Sequence, residues 1–345
     1  MRKHLIIQFL SLLTLFSPVF TCAQKEKADI PPLRMYHSMA YHHGLDKIFL
    51  FGGHSKHGWF DDLRDVWSYD MGKYKWQKVG IFEASPDSIG EAQSAIYDIE
   101  SNVVIVFNTL GETWCYKAEI NKWKNMKPSS APSPRCGHMT SYDTQSDRIV
   151  LFGGFGCKSV NDSVFSDTWI YNYDDNTWTR MNPNNSPQAR CYGSMIFNTN
   201  LNKTILWGGR QIEPITDNSI WEYNLEEDNW RKIKSNSGPK TSYAYPTLIY
   251  DDQKNEMVLF GGGILESPFA GKQLNEIWKY NFDGHEWKAV KSNNAPPPVT
   301  IHSMVFHPKH RKALLFGGEI KEMYSNNMLK GSWIYNLDDN IWIKH

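Results

Sequence analysis

No stretch of the chain reaches the roughly 18 consecutive apolar residues that a membrane-crossing helix needs. Nor is there an excess of charge of one sign. Lys+Arg and Asp+Glu each number 37 in 345 residues, and a nucleic-acid protein would show a basic surplus. There is no GxSxG of a serine hydrolase, and no HExxH or HxH of a zinc site. No segment carries a long amphipathic helical pattern. With 41% hydrophobic and 21% charged residues, the chain is nonetheless not a disordered one. What it has in plenty is aromatic residues: 14 Trp, 17 Tyr and 17 Phe.

The first residues read as an address. Arg2 and Lys3 precede an apolar run from Leu5 to Phe16, Pro18 breaks it, and Thr21-Cys22-Ala23 offers small residues before Gln24. That is the layout of a secretory signal peptide over residues 1–23, which predicts export to the periplasm or outside the cell. Cys22 raises a lipid anchor, but Phe20 and Thr21 make a poor lipobox. Cleavage after Ala23 is the preferred reading. Cys115, Cys136, Cys157 and Cys191 then remain, and an oxidising compartment permits disulfides.

The aromatics form a ruler. Trp67/Tyr69/Trp76 follow the pattern W-x-Y-x6-W, and it recurs unchanged at Trp114, Trp169, Trp221, Trp278 and Trp333. Upstream of each, an apolar run ends in Gly-Gly, at Gly52, Gly153, Gly208, Gly261 and Gly317; the second copy has Asn108-Thr109 instead. The mean period is about 53 residues, a repeat architecture. Each unit reads as four short strands, A to D, with strand B ending at Gly-Gly and the two Trp on C and D. The predicted fold is all-β: a six-bladed β-propeller of four-stranded antiparallel blades over residues 24–345. The blades fall at about 32–80, 86–127, 133–182, 187–234, 239–291 and 297–345. Gly-Gly closing B, an aromatic on C and Trp on D resemble the kelch repeat, over essentially all of residues 32–345. Each blade is one contiguous segment, so the ring is expected to close by side-chain packing between blades 1 and 6.

In such a meander the A–B and C–D turns share one face, and the B–C and D–A connections share the other. The B–C connection holds 4 residues in blade 2 but 11 to 15 elsewhere. Long variable loops on a rigid scaffold are where function usually sits. They carry His54, Trp59, Arg210 and Glu319, with Trp59 suited to stacking on a sugar. Strand A is expected innermost. Counting 18 back from each first glycine finds Arg34, Arg135 and Arg190; counting 15 back finds His37, His138 and His302. Converging at a channel mouth, these would favour an anionic ligand such as a carboxylate. Arginine after proline and a polar residue three later equally suit structural ties between blades. No metal set emerges, and no cofactor is implied. Cys136 lies nearly opposite Cys157 in the A–B hairpin of blade 3, which makes that pair the most plausible disulfide.

With no catalytic motif, the function expected is a monomeric binding module for a glycan or protein ligand on the B–C/D–A face. The alternative is a small-sugar enzyme resembling the exported kelch-type sialic acid epimerases. It would use the arginines and an acid/base pair drawn from Glu319, Glu213, His37 and His302.

Overall fold

The structure, a computed structural model, describes residues 30–55, 63–82, 94–156, 163–210, 217–235, 237–267, 270–322 and 325–345. The leader with Cys22, and also Trp59, Cys157 and Glu213, lie outside the described residues. Among these residues no helix is long and apolar enough to cross a membrane. Six four-stranded antiparallel sheets follow one another along the chain. They are β1–β4 (Ser38–His42, Lys47–Phe51, Asp65–Asp70, Lys75–Ile81) and β5–β8 (Ser94–Asp98, Val103–Phe107, Thr113–Lys117, Lys122–Asn125). Next come β9–β12 (Met139–Asp143, Arg148–Phe152, Thr168–Asn172, Thr177–Arg180) and β13–β16 (Cys191–Asn198, Lys203–Arg210, Ile220–Asn224, Asn229–Ile233). Blade 5 is β17, β18, β21 and β22 (Thr247–Asp251, Glu256–Phe260, Ile277–Asn281, Glu286–Val290). Blade 6 is β23, β24, β27 and β28 (Ser303–His307, Lys312–Phe316, Ser332–Asn336, Ile341–Lys344).

The innermost strands touch in order, β1 to β5, β9, β13, β17 and β23, and back to β1. Closure is by side chains. Met39, Ile48 and Leu50 of blade 1 share a buried cluster with Leu314, Phe316 and Ile334 of blade 6. Trp76 Nε1 donates to Ser332 Oγ at 2.8 Å. The backbone adds two stitches the sequence did not suggest, Gly318 N–H to the Arg34 carbonyl at 2.8 Å and Tyr36 N–H to the Ile301 carbonyl at 3.4 Å.

The fixed spacing of the ruler has a physical cause. The residue five after the ruler Tyr has positive φ at all six C–D turns: Tyr74, Asn121, Asn176, Asp228, His285 and Asn340. In blades 2, 3, 4 and 6 the Tyr hydroxyl donates to that side chain, at 3.0, 2.9, 2.8 and 2.7 Å. One residue more or fewer would break both. In blade 1 the turn residue is Tyr74, and the Tyr69 hydroxyl is left without a hydrogen bond. The second Trp then reaches the preceding blade: Trp178 Nε1 donates to Thr113 Oγ1 and Trp230 Nε1 to Thr168 Oγ1. Nine of the twelve ruler Trp are buried. Trp114, Trp169 and Trp278 are half-buried.

The Gly-Gly pairs take positive φ throughout, as at Gly53 with φ 95°. A Cβ on Gly53 would also stand 2.6 Å from the Met35 carbonyl oxygen. Gly53→Ala is therefore expected to cost about 1–3 kcal/mol, read as a lowered urea midpoint with unchanged slope. An unchanged midpoint would show that this turn can relax. In blade 2 the Asn108 side chain does the turning. Its Oδ1 accepts from Leu110 N–H and Glu112 N–H.

Two B–C connections expected as loops are hairpins: β19–β20 (Gly263–Ser267, Ala270–Gln273) and β25–β26 (Glu319–Glu322, Ser325–Met328). With 15 and 14 residues available they are long enough to pair with themselves. Gln273 joins them, its Nε2 donating to the Glu319 carbonyl and its Oε1 accepting from Lys321 N–H.

Candidate functional site at the channel mouth

The inner strands of all six blades surround a cavity of about 260 Å³. His37, His138 and His302 line it, as expected from their place on strand A. His138 Nε2 lies 2.9 Å from Ser94 Oγ, and His302 Nε2 lies 3.0 Å from Thr247 Oγ1. Each bond runs to the preceding blade, so these two rings tie neighbours together. Burial drives the pKa of His138 and His302 down to about 3, and holds His37 well below the usual value. The folded protein then keeps them neutral while the unfolded chain protonates them below about pH 6.5. Between pH 6.5 and 3 the unfolded state binds more protons, so stability falls as pH falls through that window. His138→Gln is expected to flatten the pH dependence of Tm between pH 6.5 and 4. An equally steep profile in that variant would remove this ring as a contributor.

The arginines are placed differently from the expected channel ring. Arg34 and Arg135 are fully buried and face the start of strand C in their own blades. Arg34 grips Asp65 with both terminal nitrogens, at 2.7 and 3.0 Å, and donates to the Gly52 carbonyl at 2.9 Å. Arg135 repeats this on Asp167, at 2.6 and 2.9 Å, and on the Gly153 carbonyl at 2.9 Å. The carboxylates also accept from Trp67 and Trp169 Nε1. Burial would raise both Asp pKa values, but the arginine bonds outweigh it and hold them below the usual range. Arg190 keeps the Gly208 carbonyl at 3.1 Å but stands 3.7 Å from Asp217, which lies two residues further from its Trp. These are clamps between the Gly turn and strand C within one blade. None of the three lines the channel cavity.

The position between the two counted rings carries the site instead. Sixteen residues before the first glycine stand Tyr36, Gly137, Tyr192, Tyr245 and Ile301, and all five have φ between 57° and 60°. At the three tyrosines the left-handed turn aims the amide at the neighbouring blade: Tyr36 N–H donates to the Ile301 carbonyl at 3.4 Å. Tyr192 N–H donates to the Gly137 carbonyl at 2.8 Å, and Tyr245 N–H to the Tyr192 carbonyl at 2.7 Å. The same turn brings three tyrosine rings together from blades 1, 4 and 5. Tyr192 and Tyr245 centroids are 4.3 Å apart, and Tyr36 and Tyr245 6.4 Å. Gly137 makes room for this, since a Cβ there would meet the Tyr192 ring at 2.6 Å.

Arg210, at the end of β14, lies over Tyr192 at 5.4 Å. It has no carboxylate partner among the described residues, and its buried Nε makes no hydrogen bond. Burial works against its charge, but the oxygens of Tyr245, Tyr192 and Tyr36 and the Cys191 sulfur outweigh that and raise its pKa. Burial pushes the Tyr245 hydroxyl up to about 12, opposed by Arg210 and by the hydroxyls of Tyr36 and Tyr192. His54 joins through its ring, edge-on to Tyr36 at 5.9 Å. Glu319 pairs through its backbone with Thr300. Cys136 is disulfide-bonded, while Cys115 and Cys191 are free thiols.

Six four-stranded blades, Gly-Gly turns and the aromatic ruler define a kelch-type β-propeller, a fold that suggests a binding module. The Attractin/LZTR1 beta-propeller family model matches residues 16–201 and 155–345, and the chain belongs to that family. It is 26% identical over 214 residues to Mei4-dependent protein 6 of Schizosaccharomyces pombe, covering 54% of this chain and 28% of that one. It is 26% identical over 212 residues to the dynein alpha chain of the flagellar outer arm of Chlamydomonas reinhardtii, covering 57% and 4%. It is 24% identical over 231 residues to human multiple epidermal growth factor-like domains protein 8, covering 64% and 8%. The match thus spans less than a third of any of these relatives.

Proposed function

We propose that this propeller is an exported binding module that captures a carboxylate-bearing group of a glycan or protein at the channel mouth on the Gly-Gly face. The observation that carries the reading is Arg210: a half-buried guanidinium without a carboxylate partner among the described residues, beside three tyrosines. A cation so placed can take an anion by charge-assisted hydrogen bonds, and the rings can pack on a sugar or an apolar side chain. The apolar run at Leu5–Phe16 and a disulfide at Cys136 support an oxidising, exported setting. The partner we assign to Cys136 is Cys157.

The test is an array of acidic and neutral glycans and peptides probed with wild type and Arg210→Gln. Loss of a hydrogen-bonded charge of this kind corresponds to about 10- to 100-fold in affinity. Equal binding by Arg210→Gln would sink the reading.

His54 and the tyrosine hydroxyls beside Arg210 support a second reading, a small-sugar epimerase, because they can exchange protons with a held sugar. Faster interconversion of sialic acid anomers in ¹H NMR, lost in Arg210→Gln, would favour it over simple binding.

A further inference from the structure

On the opposite face, at the seam between blades 1 and 6, three potential metal ligands meet. Asp46 ends the A–B turn of blade 1, and His307 and His310 flank the A–B turn of blade 6. Their ligating atoms all lie within 4.8 Å of one another. His307 Nε2 stands 3.3 Å from Asp46 Oδ1, and the two imidazole rings are 4.6 Å apart. The local backbone explains the pairing. Pro308–His310 forms one turn of 3-10 helix capped by His307, and it brings the two rings side by side. Asp46 has φ 55°, and this turn sets its carboxylate against the neighbouring blade.

The His307 side chain is fully buried, and neither of its ring nitrogens makes a hydrogen bond. His307 Nε2 thus faces the Asp46 carboxylate without hydrogen-bond geometry, and a cation between them would engage both. Asp46 is already built to carry a cation. Its Oδ2 takes Lys309 Nζ at 2.8 Å, and its Oδ1 accepts from Tyr41 at 2.8 Å. The Lys309 side chain is 70% exposed and can swing into solvent at little cost.

We infer that Asp46, His307 and His310 form a divalent-metal site that staples blade 1 to blade 6. Two imidazoles and a carboxylate are the donor set of a zinc-class ion, with water as a fourth ligand. Bonds of about 2.0–2.1 Å at tetrahedral angles put ligand atoms roughly 3.4 Å apart. The Asp46–His307 pair already has that spacing, and the His310 ligand atom lies within 4.8 Å of both. The site lies where the propeller needs it, because among the described residues no strand crosses the seam to close the ring.

The experiment is a Co²⁺ titration of the untagged protein followed by absorption, with Zn²⁺ displacement and thermal unfolding in parallel. One Co²⁺ per chain with tetrahedral d–d bands, displaced by Zn²⁺, is expected, together with a Zn²⁺-dependent rise in Tm. His310→Ala should weaken Co²⁺ binding by more than about tenfold, the least that even outer-shell losses cause at such sites, and abolish the Tm rise. Asp46→Asn should do the same, while His285→Ala, on an exposed C–D turn, should change neither. The absence of a saturable Co²⁺ spectrum, or binding undiminished in His310→Ala, would overturn the site.

Discussion

Arg135→Ala should destabilise the propeller by about 3–5 kcal/mol, the cost of leaving a buried carboxylate without its partner. Arg135 is 1% exposed and holds three elements at once: the Gly153 turn, Asp167 and, through Asp167, the indole of Trp169. Removing it leaves Asp167 Oδ1 and the Gly153 carbonyl without their arginine donor in a largely buried setting. Domains of this kind have about 5–15 kcal/mol to lose, so the urea midpoint should fall by a large fraction. The contrast with Arg190 sharpens the expectation. Its carboxylate is 3.7 Å away and its Nη2 makes no hydrogen bond, so Arg190→Ala should cost less. A double-mutant cycle on Arg135 and Asp167 separates the pair from its surroundings. Equal losses for Arg135→Ala and Arg190→Ala would contradict the assignment of Arg135 as a bidentate clamp. Below pH 4 the same clamp should weaken. The Asp167 pKa is depressed in the fold, so its contribution is complete above the unfolded value of 3.8 and is lost as pH falls through the folded one.

Trp230→Ala should cost a similar amount, about 3–5 kcal/mol, because a fully buried indole is replaced by a cavity between blades 3 and 4. Trp230 is 1% exposed and packs with Val150, Phe152 and Ile170 of the preceding blade. Its Nε1 donates to Thr168 Oγ1 at 2.9 Å. Trp230→Phe keeps most of the packing and should lose only about 1 kcal/mol with the hydrogen bond. Urea unfolding followed by far-UV circular dichroism gives both values. If Trp230→Phe were as damaging as Trp230→Ala, the hydrogen bond and not the packing would hold the two blades together.

The architecture was legible because the ruler is a local constraint repeated six times. Tyr171 must reach Asn176 across a left-handed turn, and Trp178 must reach Thr113 on the blade before. Neither distance tolerates an insertion, so the spacing survives in the sequence. The site was only half legible. His37, His138 and His302 were placed on the channel by counting from the glycines. The same counting placed Arg34, Arg135 and Arg190 there, but their partners Asp65, Asp167 and Asp217 lie 27 to 32 residues downstream. Arginine at a repeat position looks alike whether it clamps a blade or awaits a ligand. Tyr36, Tyr192 and Tyr245 were missed, although they stand one step from the counted histidines. Tyrosine prefers extended backbone, and nothing in its name reveals a φ near +58°. The signal available was the column itself: three aromatics, a glycine and an isoleucine at one repeat position. Arg210 was read as a loop residue and instead ends β14, paired with Cys191 of β13. That pairing fixes it beside Tyr192.

Capture of a carboxylate at the channel mouth is tested most directly by isothermal titration of one acidic sugar and its neutral ester. N-acetylneuraminic acid and its methyl ester differ only in charge at the group Arg210 would hold. The free acid should bind at least about tenfold more tightly, and Arg210→Gln should erase the difference. An ester that binds wild type as well as the acid does would contradict recognition of a carboxylate by Arg210.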